Sequence, residues 1–207
     1  MSIIRCRICL NKLNNKFIYP KEMMLGKLEK FEYLLCDNCG CLQICDVPKN
    51  LSDYYPSNYY SFEIVDEKFL LKQPRKFLRD SKNKYSIFKK GLLGKVLNCF
   101  FSNSAYDFLS ELNLTTESSI LDVGSGNGMF LYGLKSIGFN NILGIDPFLL
   151  NNIKYKNNLE IIKKSIFQIN EKFDLIILNH SFEHMLDHSN VLKKISQLLN
   201  SKGVCIV

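Results

Sequence analysis

The sequence predicts an α/β domain built around a short-stranded sheet, preceded by a small cysteine-rich module. Three observations predict it. After about residue 106, five short apolar runs suited to buried strands alternate with helical patterns. A glycine-punctuated loop directly follows the first of these runs, and six of the eight cysteines fall within the first 46 residues. With 46% hydrophobic residues and 15 phenylalanines, the chain can bury a core. No apolar run approaches the roughly 20 residues needed to span a bilayer.

Three regions follow from these patterns: a module at 1–46, an aromatic and basic helical connector at 47–105, and the α/β region at 106–207. In the module, Cys6-x-x-Cys9 and Cys36-x-x-Cys39 form two paired-thiol motifs. Two such pairs can close a tetrahedral Zn²⁺ site and stabilise a segment too small for its own core. Gly40 suits the knuckle after Cys39, whereas Leu10 departs from glycine after Cys9. Cys41 and Cys45 are alternative ligands. No open coordination position is implied, so the expected zinc is structural. The opening MSIIRCRICL is a poor secretory signal, and eight cysteines in a reducing cytoplasm favour metal over disulfides.

The connector holds YYPSNYY at 54–60, then ten basic residues and one acid, Asp80, between Lys68 and Lys95. That segment accounts for the whole net charge of +7. A solvated helix face is the expected reading, with phosphate, nucleic acid or an anionic membrane as the other partners such a block attracts. Phe88, Leu92, Val96 and Phe100 recur at helical spacing and predict one core-packing helix face, with a membrane-binding helix as the alternative that the lysine-rich flank leaves open.

In the α/β region, Ile120–Val123 reads as the first strand, and a helix is expected over about 128–137, ending near Gly138. NILGID, LEIIKKSI and FDLIILN supply the next three strands. VLKKISQLL offers a helix with Val191, Leu192, Ile195, Leu198 and Leu199 on one face, and GVCIV begins a fifth strand.

The stretch LDVGSGNG carries the most chemistry. Gly124, Gly126 and Gly128 let the chain turn sharply and let a ligand approach the backbone, since no Cβ stands in the way. Asp122 ends the strand, and Asp146 ends the next, 18 residues beyond Gly128. An acid at that distance suits ribose hydroxyls in a nucleotide-binding βαβ unit. The loop is neither G-x-G-x-x-G, because Met129 stands at the last position, nor a Walker loop, because no G-K-[ST] follows.

All three histidines lie in NHSFEHMLDH, residues 179–188. HSFEH also fits the H-x-x-E-H pattern of zinc proteases, which needs a helix and a third ligand. FDLIIL runs straight into it, so its first residues should instead finish a strand and loop.

LDVGSGNG, GID and FDLIILNHSFEH, in that order over 119–207, resemble the class I S-adenosylmethionine-dependent methyltransferases. The resemblance implies a Rossmann-like sheet in which Asp122, Gly124, Ser125 and Gly126 line the methionine end of the cofactor, with Gly128 closing the loop. Asp146 would hold the ribose, Ser165 and Ile166 would flank the adenine, and Asn179 and His180 would sit beside the cofactor. His184 would act as base with Glu183 orienting it. The order CRIC, LLCDNCGCLQ, YYPSNYY and glycine loop further resembles bacterial sugar C-methyltransferases and related polysaccharide-cluster enzymes. That subgroup implies a nucleotide-linked sugar acceptor and acid/base work by Tyr59 or Tyr60.

A complete class I sheet has about seven strands, so the resemblance also implies a chain ending within the fifth, with reduced stability and weak or absent turnover. A partner or second copy could complete such a sheet. An RNA-binding or RNA-modifying protein and a non-catalytic remnant are the competing expectations. The paired-cysteine spacing differs from that of a base-reading finger, which weighs against nucleic acid.

Overall fold

The structure, a computed structural model, describes residues 5–48, 54, 66–101, 104–185 and 187–207. It divides into two compact units: Met1–Pro56 with Leu186–Ser189, and Ser57–Met185 with Asn190–Val207.

The first unit contains a three-stranded antiparallel sheet in the order β1-β2-β3, from β1 (Lys16–Ile18), β2 (Tyr33–Leu35) and β3 (Leu42–Ile44). Its buried apolar cluster consists of Leu34 with Cys6 and Cys36. Every residue of β1 is exposed. So small a core cannot offset the ordering entropy of some forty residues.

The second unit begins with α1 (Glu67–Leu71), α2 (Arg75–Phe88), α3 (Leu92–Phe100) and α4 (Ser104–Asp107). A six-stranded sheet follows, from β4 (Ile120–Val123), β5 (Ile142–Ile145), β6 (Ile153–Lys154), β7 (Glu160–Ile162), β8 (Phe173–Ile177) and β9 (Leu199–Ile206). The spatial order is β6-β7-β5-β4-β8-β9. All pairs are parallel except β6 with β7. Helices α5 (Met129–Ser136) and α6 (His188–Leu198) complete the α-helices among the described residues, beside short 3₁₀ turns such as Phe108–Leu112. The α/β expectation is met.

Alternation along the strands divides the core. Ile120, Leu175 and Ile177 pack with Leu131, Leu134 and Leu109 on one face. Leu121, Val123, Ile145 and Ile176 pack with Val191, Ile195 and Leu198 on the other. Parallel strands covered on both faces read as continuous apolar runs, which is why ILDV and FDLII were legible.

Several expectations are corrected. Phe88, Leu92, Val96 and Phe100 do not share one helix. Lys89 caps α2 in a left-handed conformation (φ 53°), Gly91 turns the chain at φ 103°, and α3 restarts at Leu92. Phe88 stacks on Phe139 at 5.7 Å, whereas Leu92, Val96 and Phe100 of α3 face outward rather than into a core. Leu192 is exposed, and Leu199 belongs to β9, which α6 enters without a loop. The two-residue β6 is too short to leave a periodic signal. The third strand ends at Ile162, and Ser165 caps a 3₁₀ turn over Ile166–Gln168 through a reciprocal capping box with Gln168.

Candidate functional site

The glycine loop leaves β4 and enters α5 through three left-handed glycines: Gly124 (φ 76°), Gly126 (φ 54°) and Gly128 (φ 76°). Each conformation costs a residue with a side chain roughly 1–2 kcal/mol. Two of the positions are also closed by neighbours. A Cβ on Gly124 would lie 2.4 Å from Ser181 Cβ, and one on Gly128 would lie 2.2 Å from Ile161 Cδ1. Alanine at 124 should therefore lower stability by several kcal/mol, combining backbone strain with overpacking. Adding Ser181→Gly should recover only the steric share, which a double-mutant cycle of melting curves would measure.

The loop is tied to the strand ends. Gly124 N and Ser125 N both donate to Ile145 O, at 2.8 and 3.2 Å. Gly126 N donates to Asp146 Oδ2 at 3.1 Å, and Phe148 N donates to Asp146 Oδ1 at 2.9 Å. From the other neighbouring strand, Ser181 Oγ donates to Val123 O at 2.6 Å. These bonds gather the β4, β5 and β8 ends, where open α/β sheets bind ligands. Tyr155 OH donates to Asn127 O at 2.6 Å, and Asn127 Oδ1 accepts from Met129 N. Ser181, Asn127 and Tyr155 were missed by sequence reasoning, since lone polar residues carry no spacing signal.

Asp122 and Asp146 are both buried, each 5% exposed. Burial and then the charge of Asp146 push Asp122 up to about 7. Burial also raises Asp146, opposed by the Phe148 and Gly126 N–H groups. Ser125 Oγ is buried without a hydrogen-bond partner. Two acids and an orphaned hydroxyl at a turn whose glycines present no side chains fit the polar, cationic and hydroxyl-bearing parts of S-adenosylmethionine.

Other expected site residues are scattered in character. Ser165 is half-buried, and the Ile166 side chain lies in the core at 3% exposure. Asn179 and His180 form an exposed turn after β8, with His180 left-handed (φ 50°). Glu183 and His184 lie in a 3₁₀ turn, Phe182–His184, and Glu183 Oε1 is 3.9 Å from both His180 Nδ1 and His184 Nε2. His188 opens α6. The histidines therefore do not stack on a helix, and the protease pattern has no helical frame. Tyr59 and Tyr60 lie outside the described residues.

In the first unit, Cys6, Cys9, Cys36 and Cys39 place their sulfurs within 4.8 Å of one another. Cys6 and Cys39 are 3.6 Å apart, and Cys9 and Cys36 are 3.5 Å apart. A tetrahedron with metal–sulfur bonds of about 2.3 Å has edges of about 3.8 Å, so the four thiols fit zinc. Their protonation is already uneven. Cys9 is drawn down to about 6, chiefly by the Asn38 side chain and the Asn11 backbone. Cys39 is pushed up to about 12: the Cys41 N–H pulls it down, but burial and the neighbouring thiols outweigh it. Cys41 and Cys45 pack at the cluster's margin.

The two knuckles match in backbone. Leu10 N donates to Cys6 O and Gly40 N to Cys36 O, both at 3.0 Å. Leu10 adopts φ 62° where Gly40 adopts 70°. Leu10 thus takes the glycine conformation at a strain of about 1 kcal/mol, and it is 56% exposed. Leu10→Gly should stabilise the module by about that amount, read as a higher chelator concentration at the unfolding midpoint.

A family model described as a methyltransferase domain matches residues 97–207, just over half of the chain. The chain belongs to the methyltransferase-domain family. Curated relatives include a tRNA U34 carboxymethyltransferase of Ruthia magnifica subsp. Calyptogena magnifica, 32% identical over 99 residues, covering 42% of this chain and 31% of the relative. Another is a malonyl-[acyl-carrier protein] O-methyltransferase of Calditerrivibrio nitroreducens, 30% identical over 99 residues, covering 46% and 40%. The aligned part thus spans less than half the length of these relatives. Among solved structures, the plantazolicin methyltransferase BpumL in complex with a desmethylPZN analog and SAH is 19% identical. Its TM-score is 0.40, with 69% of this chain and 60% of that one covered. No described helix of this methyltransferase-domain chain is long and apolar enough to cross a membrane.

Proposed function

We propose that this chain binds S-adenosylmethionine at the carboxyl ends of β4 and β5 and directs its methyl group to a small-molecule acceptor, a nucleotide-linked sugar. The observation that carries the reading is the Asp146 carboxylate bonded to the Gly126 N–H, with the orphaned Ser125 hydroxyl in the same loop. Bound there, the sulfonium cofactor supplies an electrophilic methyl carbon.

The chain's own residues orient and deprotonate. Asp146 accepts from the loop through one lone pair of Oδ2, leaving further acceptor capacity for ribose hydroxyls. Asp122 offers negative charge at the β4 end. The glycine backbone admits the ligand closely, and positioning of this kind lowers the barrier to an in-line displacement. His184, exposed and beside Glu183, takes the proton from the attacking hydroxyl or carbon acid. The sugar acceptor is supported by the order of the cysteine module, YYPSNYY and the glycine loop. The curated relatives named above carry tRNA U34 and malonyl-[acyl-carrier protein] in their names. Zn²⁺ held by the four thiols serves as structure.

Titration calorimetry of the intact chain with S-adenosylmethionine tests the cofactor reading. Saturable heat is expected, with Asp146→Asn weakening affinity at least tenfold while the protein stays folded. A folded wild-type protein that gives no heat would end the proposal. Transfer of isotopically labelled methyl to a panel of sugar nucleotides tests the acceptor.

A further inference from the structure

We propose that α3 docks this chain peripherally on an anionic lipid bilayer, its apolar arc entering the surface and its lysines engaging the headgroups. The proposal is independent of the cofactor reading.

Helix α3 is mounted unusually. Its one buried residue is Gly94, where a Cβ would lie 2.3 Å from Ser81 O and 2.7 Å from Tyr85 Cβ, so α3 presses against α2 at backbone distance. Asn98, one turn on, receives a hydrogen bond from Ser86 Oγ at 3.0 Å. Gly94 and Asn98 thus define the inner face. At 100° per residue, Leu92, Val96 and Phe100 fall on the opposite arc, with Leu93 beside them. Their exposures are 80%, 49%, 77% and 42%. Phe101, just past the helix, is 66% exposed. An amphipathic helix in a folded domain normally turns its apolar arc inward, and this one is reversed.

Charge selects the occupant. Lys89 and Lys90 precede the helix and Lys95 flanks the arc, all exposed. The only acid from Lys68 to Lys95 is Asp80, which is buried and neutralised by Lys76 at 2.5 Å and Arg79 at 3.3 Å. A second copy would bring the same cations together. Nucleic acid supplies phosphate but no apolar phase for Leu92 and Val96. An anionic bilayer supplies both, and such helices lie in its interfacial plane.

Co-sedimentation of the full chain with vesicles is the test. Binding is expected with phosphatidylcholine mixed with phosphatidylglycerol, and little with phosphatidylcholine alone. Leu92→Ser with Phe100→Ser should weaken binding more than tenfold, and each of Lys89→Gln, Lys90→Gln and Lys95→Gln about fivefold. Because these side chains are exposed, an unchanged melting temperature checks that each variant folds. Three results would each overturn the proposal: no sedimentation with anionic vesicles, equal binding to both compositions, or unaltered binding by the Leu92/Phe100 variant. Binding of an RNA oligonucleotide in place of vesicles, lost in the same variants, would assign the face to nucleic acid instead.

Discussion

Stripping the metal from the four-cysteine unit is expected to unfold residues 5–48 while the six-stranded sheet stays folded. The physical ground is the size of the core: Leu34, Cys6 and Cys36 are all the buried apolar material that the unit holds among its described residues. Three strands of three residues cannot stand on that alone. Metal–thiolate bonding in such modules contributes on the order of 10 kcal/mol, and here it would be nearly the whole folding free energy. One equivalent of zinc should be found by elemental analysis. A strong chelator, or Cys36→Ser, should collapse amide chemical-shift dispersion for these residues and open them to proteolysis. Undiminished dispersion in metal-free protein would show that the thiols are not the staple.

Asp122→Asn is expected to stabilise the ligand-free sheet unit at neutral and alkaline pH. Asp122 is raised from 3.8 to about 7, first by burial and then by Asp146. In the folded state it keeps its proton to a higher pH than when unfolded. Stability tied to this group is therefore fully present below about 4 and is lost as pH rises to about 7. The loss is on the order of 4 kcal/mol, since each tenfold change in proton affinity is worth about 1.4 kcal/mol. The asparagine variant should melt higher than wild type at pH 8, match it more closely at pH 4, and show a flatter pH dependence between. The same substitution should weaken binding of a cationic cofactor, because it removes the charge that the buried site holds at a cost. A wild type and variant with parallel stability profiles would refute this account of Asp122.

The legible parts of the fold were those with strong local patterns. ILDV and FDLII are buried on both faces, and ILGI over its last two residues, so their apolar runs survive any choice of tertiary neighbours. The glycine spacing was legible because left-handed backbone at three close positions leaves few residue choices. The cysteine pairs were legible because tetrahedral ligation restricts spacing. What stayed hidden depended on contacts between distant segments. Ser181 matters because it meets Gly124 and Val123, 57 and 58 residues away in sequence. The break between α2 and α3 turns on Lys89 adopting a conformation usually left to glycine, so the helical periodicity of Phe88, Leu92, Val96 and Phe100 misled. HSFEH misled similarly, because identical spacing is compatible with a turn and a short 3₁₀ segment.

The way α3 is fastened has a thermal consequence. Backbone proximity at Gly94 and the Ser86–Asn98 bond hold it to α2, with little apolar area sealed between them. Hydrophobic burial weakens on cooling, but close van der Waals contact and hydrogen bonds do not share that entropic origin. Cooling therefore weakens the sheet's two apolar layers more than it weakens this joint, and α3 keeps its seat on α2 for as long as Ile87 and Phe88 hold α2 to the core.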